Sequence, residues 1–245
     1  MQKEPVTTEN KSGAGRKILG IVIIILAIPA ALLISWKIGD RQFYLTSVIV
    51  MIIAMIPFFL SFESRKPSAR ELVTLAVMTA IAVISRAAFI MLPNIKPMVG
   101  IIMITGIALG PEAGFLTGAI GAFVSNFIFG QGPWTPWQMF AYGLAGFIAG
   151  LLAKKGIMSA EKKIQTAIIG AVMIFVFIGP LLDTCTVFLM STMYEPGSSV
   201  LAIYAAGVPV NAIHAVVTGL TLLILCKPIS DKLERIKVKY GFMNK

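Results

Sequence analysis

The sequence is poor in charge: Asp, Glu, Lys and Arg make up 13% of its 245 residues, against 57% hydrophobic residues, and its mean hydropathy is +0.88. A chain so composed cannot surround an apolar core with polar surface, which excludes an ordinary soluble domain and points to an integral membrane protein. Cysteine and histidine are scarce as well. Cys185 and Cys226 each stand inside a different apolar run and His214 is the sole histidine, so neither a disulfide framework nor a metal centre is expected. A lone histidine is more often a hydrogen-bonded packing residue than a ligand, which holds for His214 too. There is no GxxxxGK[ST] phosphate loop, so the chain cannot drive ATP-dependent transport by itself. The absence of HExxH, GxSxG and paired intramembrane carboxylates leaves no catalytic residues to assign, and no cofactor is expected. Nor does the sequence show an inverted repeat with coupling-ion carboxylates, the mark of many secondary transporters.

What the sequence does have is apolar runs of membrane length. A hydrocarbon core about 30 Å thick takes roughly 20 helical residues. Eight runs are read as spans: 18–36, 43–60, 72–92, 98–110, 113–129, 138–153, 164–190 and 200–226. The fourth is the shortest and is expected to tilt or extend into its flanks. The charged, proline-containing linker 61–71 divides the chain into an N-terminal segment with an accessory two-span hairpin (1–61) and a six-span module (62–228). A basic tail (229–245) follows.

The net charge of +10 would suit a nucleic-acid partner, but its distribution argues for orientation instead. If the spans alternate from a cytoplasmic N-terminus, seventeen Lys and Arg fall inside and three outside, namely Lys37, Arg41 and Lys96. This asymmetry predicts that both termini are cytoplasmic and that the segment 130–138 faces outward; no nucleic acid is expected.

That segment, GQGPWTPWQ, gathers Gln131, Trp134, Thr135, Trp137 and Gln138 between two apolar runs. Glycine and proline predict a loop, and the two indoles with two amides suit a small, partly aromatic ligand. Other polar groups lie at a similar depth. Asn126, beside Ser125, needs a partner within the membrane. Arg86 and Asp183 are the two charges inside spans, and an ion pair between them is the economical expectation. Asn211 and His214 are three apart on one helix face. Ala76 and Ala80, four apart, and the GxxxG pairs Gly114/Gly118 and Gly146/Gly150 predict close helix packing.

The stretch 113–152, AGFLTGAIGAFVSNFIFGQGPWTPWQMFAYGLAGFIAGLL, resembles the substrate-binding S components of energy-coupling factor (ECF) vitamin transporters. It is most similar to the branch associated with cobalamin and its precursors, where a GQGPWTPWQ-like loop recurs. The resemblance extends over about 71–228. It implies an all-α polytopic membrane protein, a six-helix S-component bundle preceded here by a two-helix N-terminal hairpin, in a bacterial plasma membrane. It also implies a high-affinity vitamin-binding subunit that joins a transmembrane T component and two ATPase subunits. The vitamin would be cobalamin or a corrinoid precursor such as dimethylbenzimidazole. The family's AxxxA docking motif matches Ala76 and Ala80, and its ligand contacts would fall on Asn94, Asn126, Gln131, Trp134, Thr135, Trp137, Gln138, Asp183 and Asn211. A self-sufficient secondary permease or channel for a small heterocycle is the alternative, which gradient-driven flux through the chain alone would reveal.

Overall fold

The computed structural model describes residues 43–64, 67–193 and 200–241, and the expected first span, 18–36, lies outside them. The described residues form helices joined by turns: α1 Phe43–Ser64, α2 Ala69–Ala87, α3 Met98–Leu109, α4 Pro111–Phe129 and α5 Thr135–Lys154. α6 Lys163–Met173 then runs through a π-helical turn, Ile174–Ile178, into α7 Gly179–Met193, and α8 Val200–Tyr240 is last. Local sequence explains several ends. The hydroxyl of Ser68 caps α2 by accepting the Glu71 amide at 3.2 Å, the S-x-x-E signature of a helix start. Gly110, at φ 99°, is the single residue between α3 and α4, and Gly130, at φ 97°, closes α4; both conformations are left-handed ones that glycine adopts without strain.

α3 is the centre of the bundle. Met98, Ile101, Ile102, Met103 and Ile104 are at most 1% exposed, as expected of a helix apolar on every side. It packs against α2, α4, α5 and α8, and the most extensive pairing among the described helices is α4 with α5. Glycines allow that approach. A Cβ on Gly106 would lie 2.1 Å from the Gly146 carbonyl oxygen, one on Gly114 2.5 Å from the same oxygen, and one on Gly118 2.4 Å from the carbonyl of Tyr142. The small-residue spacing thus brings α3, α4 and α5 backbone to backbone. On the far side of this trio, α1 stacks Phe58 on Phe115 at 4.0 Å and sets it edge-on to Phe147 at 4.9 Å.

Among the described residues four helical stretches are long and apolar enough to cross a bilayer: Pro111–Phe129, Thr135–Lys154, Lys163–Met190 and Val200–Tyr240. The protein is an all-α, multi-pass membrane protein, and each of the seven expected spans within the described residues coincides with a helical stretch, although these differ in length and polarity. α3 has 12 residues and is enclosed by other helices. α2 has 19 residues but carries Arg70, Glu71 and Arg86. α8 continues past 226 to 41 residues, about 60 Å at ~1.5 Å per residue, so its last turns extend beyond any hydrocarbon core. Arg70 donates to the Tyr240 carbonyl at 3.0 Å. Helix alternation gives the bundle a loop end, with turns 88–97 and 130–134, and a lysine end, with turn 155–162 and the termini of α2 and α8.

Candidate functional site

The expected loop 130–138 is shorter in the structure. α5 begins at Thr135, and Pro136, Trp137 and Gln138 form its first turn; proline starts the helix there because the first-turn N–H groups have no intrahelical acceptor. The two tryptophans therefore diverge. Trp134 is 40% exposed, whereas Trp137 is 3% exposed and lies 5.8 Å, ring to ring, from Phe188 of α7.

The polar residues around this turn engage one another. Arg86, at the end of α2, donates through Nη1 to the hydroxyl of Ser125 and to Oδ1 of Asn126 at 2.9 Å, with its guanidinium 4.2 Å from the Phe129 ring centre. Nδ2 of Asn126 donates to Oε1 of Gln138 at 2.8 Å and to the Thr135 hydroxyl at 3.1 Å. That hydroxyl donates to Oε1 of Gln131 at 3.0 Å and accepts the Gly132 amide at 3.1 Å. Nε2 of Gln131 donates to the Phe123 carbonyl at 2.9 Å. Nε of Arg86 is buried without a hydrogen-bond partner among the described residues, but the bonds of Nη1 and of the amides and hydroxyls fasten α2, α4 and α5 together at the loop end.

This arrangement corrects the expected pairing of Arg86 with Asp183. α2 packs on α3 and α4, while α7 packs on α8, so the two charges serve different seams. Asp183 accepts Nδ2 of Asn211 at 2.7 Å. Beside it Thr184 and Tyr204 share a hydroxyl–hydroxyl bond of 2.8 Å. Gly207 makes room for the carboxylate: a Cβ there would lie 2.4 Å from it, just as one on Gly179 would lie 2.4 Å from the Asn211 amide.

Next to this seam is a cavity of about 10 Å³, where Lys96, Tyr142, His214 and Thr218 meet Val99, Leu182 and the π-helical turn. That volume is about that of one water. Nε2 of His214 is buried without a hydrogen-bond partner among the described residues. Burial lowers the pKa of the Lys96 ammonium, and the charge of Arg86 lowers it further. Among the described residues no carboxylate lines the cavity, so its chemistry suits a ligand rich in hydrogen-bond acceptors. Among the described residues no group of three or more His, Cys, Asp or Glu could hold a metal.

Of the residues expected at the site, the structure joins Asn126, Gln131, Thr135 and Gln138 in one network and Asp183 with Asn211 in another. Trp137 of α5 is buried against α7, and Asn94 lies in the turn after α2, at φ 64°. Lys96, Tyr142 and Thr218 were not expected as site residues. The available signals were helical spacing, Tyr142 four residues after Gln138 and Thr218 four after His214, and the position of Lys96 two residues before α3.

In α2, Ala76 and Ala80 are exposed, in a stripe with Val73, Val77 and Ile84, which are 63%, 52% and 64% exposed. Among family models, that of the ECF-type riboflavin transporter, S component, matches residues 66–231. No solved structure matches the chain.

Proposed function

The chain belongs to the family of ECF-type riboflavin transporter S components, and we propose that it captures a flavin-like vitamin at the loop end of the bundle for an ATP-driven importer. The observation that carries this reading is the match itself, which spans α2 to α7 and runs into α8 as far as residue 231. The expected corrinoid specificity has no support in that match. A flat tricyclic ring with carbonyl and ring-nitrogen acceptors, as in riboflavin, suits the donors of Lys96, Tyr142, His214 and Thr218 better. The cavity must widen to admit such a ring, and the π-helical turn in its wall favours this, because such turns are irregular points in a helix and recur at functional sites.

In this reading the loop end faces outward and the basic termini inward, in accord with the excess of Lys and Arg at the opposite end. The exposed stripe of Ala76 and Ala80 receives the T component, and two ATPases complete the importer. Titration of the purified chain with riboflavin, followed by quenching of flavin fluorescence, tests the substrate. Saturable binding is expected, weakened about tenfold in Lys96→Met and in His214→Phe, the loss of roughly one hydrogen bond to a charged or buried group. Binding of cobalamin or dimethylbenzimidazole without riboflavin would restore the corrinoid expectation. Gradient-driven flux through the chain alone in liposomes would replace the S-component role with that of a permease.

A further inference from the structure

α5 and α6 are consecutive in the chain but scarcely touch. Between them runs an open groove of about 490 Å³ lined only by apolar side chains, Ile148 and Leu152 from α5, Ile168 and Val172 from α6, and Phe177 from the π-helical turn among them. The volume lies within the range of about 300–1,000 Å³ common to ligand pockets. Both walls belong to stretches able to cross a bilayer, so the groove opens to hydrocarbon.

Its lysine end is charged. Lys154 ends α5 with Lys155 just after it, and Lys163 starts α6 with Lys162 just before it. Ile148, Leu152 and Lys155 follow one another at i, i+4 and i+7, on one helix face. Lys154, Lys155 and Lys163 are exposed, and Lys162 donates to the Gly156 carbonyl at 2.8 Å, holding the turn. The one acidic residue of the turn, Glu161, is engaged by Lys227 of α8 and does not cancel the four lysines.

An apolar trough of membrane depth that ends in lysines has the two halves of an amphiphile's complement. We propose that this groove is a binding site for one anionic glycerophospholipid, with an acyl chain between α5 and α6 and its phosphate among Lys154, Lys155 and Lys163. The site differs from the vitamin cavity in place and chemistry, and the inference does not depend on the riboflavin reading or on which leaflet the lysines face.

The test is native mass spectrometry of the full chain released from mixed micelles that contain either phosphatidylglycerol or phosphatidylcholine. The wild type is expected to retain one phosphatidylglycerol and to retain phosphatidylcholine at least about tenfold less. Each basic residue at a headgroup surface contributes about a factor of five in binding. The triple variant Lys154→Gln, Lys155→Gln, Lys163→Gln should therefore weaken retention by on the order of a hundredfold. Val172→Trp and Ile168→Trp fill the groove at positions 53% and 57% exposed, so each should lose the lipid while its thermal midpoint stays near that of wild type. The control triple Lys232→Gln, Arg235→Gln, Lys239→Gln removes equal charge away from the groove and should change nothing. Equal losses in both triples would mean diffuse surface attraction, and undiminished retention in both tryptophan variants would mean headgroup adsorption alone; either overturns the site. If the wild type retains no lipid while Val172→Trp blocks assembly with the partner subunits, the groove belongs to a protein and the proposal fails.

Discussion

The two halves of the bundle are held together by different means. In the α3–α4–α5 half, backbones touch where glycines remove every side chain: Gly106 and Gly114 both face the carbonyl of Gly146. In the α6–α7–α8 half, side chains bridge the helices, with Asp183 bonded to Asn211 and Thr184 to Tyr204, and a π-helical turn interrupts the ladder beside the cavity. Backbone contact has few alternative arrangements, because no rotamer can yield. Side-chain bridges can break and reform, and a helix with a π turn has a point at which to shift. The cavity on the seam between the halves has one fixed wall and one adjustable wall.

The largest expected effect is a glycine substitution in the fixed half. The first Cβ atom of Gly106→Val would lie 2.1 Å from the Gly146 carbonyl oxygen and 3.2 Å from the Gly150 nitrogen, so whole helices must separate. The loss should exceed the about 1–3 kcal/mol usual for overpacking and leave no monodisperse protein on size-exclusion chromatography. In the other half Gly219→Ala meets its nearest atoms, the Ala167 carbonyl and the Ala171 Cβ, only at 3.4 Å, and should fold with a near-native thermal midpoint. Equal tolerance of both would dissolve the distinction between the halves.

Asn126→Leu comes next. It removes one of the two acceptors of Arg86 and the donor to Gln138 and Thr135 in one change, inside a site where Arg86 is 4% exposed and its Nε already has no partner among the described residues. A buried polar group left unpaired costs about 1–3 kcal/mol, and more when it is charged, so a loss of about 3 kcal/mol in thermal or denaturant unfolding is expected. A loss under about 1 kcal/mol would mean that water replaces the amide and that the loop end is wetter than the network implies.

These contrasts also explain what the sequence could and could not disclose. Close helix packing was legible in Gly114, Gly118, Gly146 and Gly150, because the lack of a side chain is a property of the residue wherever the helix goes. The turn 130–138 was legible only as far as Trp134. Pro136 reads as a helix breaker in a linear scan, yet it suits a first helical turn, and its position there turned Trp137 inward. The charges were legible singly but not as partners, since partnership depends on which helices adjoin. Opposite signs suggested Arg86 with Asp183, while the fold gave Arg86 neutral partners on α4 and Asp183 an amide on α8. The cavity was the least legible feature: its polar groups come from the turn before α3, from α5 and from α8, and no spacing rule links segments so far apart in the chain.

A smaller effect tests that separation of partners. Arg86 and Asp183 share no hydrogen-bond partner, so Arg86→Gln and Asp183→Asn should add when combined, within about 0.3–0.5 kcal/mol. Unfolding of the two single variants and the double variant measures this. A double variant markedly more stable than the sum would restore the ion pair and join the two seams into one.

The smallest expected effect lies at the lysine end, where Lys227 of α8 engages Glu161 of the turn before α6. The hydrogen bond from Lys227, and then its charge, hold the Glu161 carboxyl below the usual carboxylate range. A carboxyl whose pKa is depressed in the folded state stabilises the fold above its unfolded pKa, and that contribution is lost as pH falls through the lower, folded value. Glu161 is fully exposed to solvent, so counterions and water screen the pair. Glu161→Gln should therefore lower the thermal midpoint slightly at neutral pH and low salt, and not measurably in high salt. On acidification the wild-type and variant midpoints should converge below the ordinary carboxylate range. A difference that survives both high salt and acid would mean that the Glu161 side chain acts through packing rather than charge. The lysine end of the adjustable half would then be as firmly fixed as its glycine-packed counterpart.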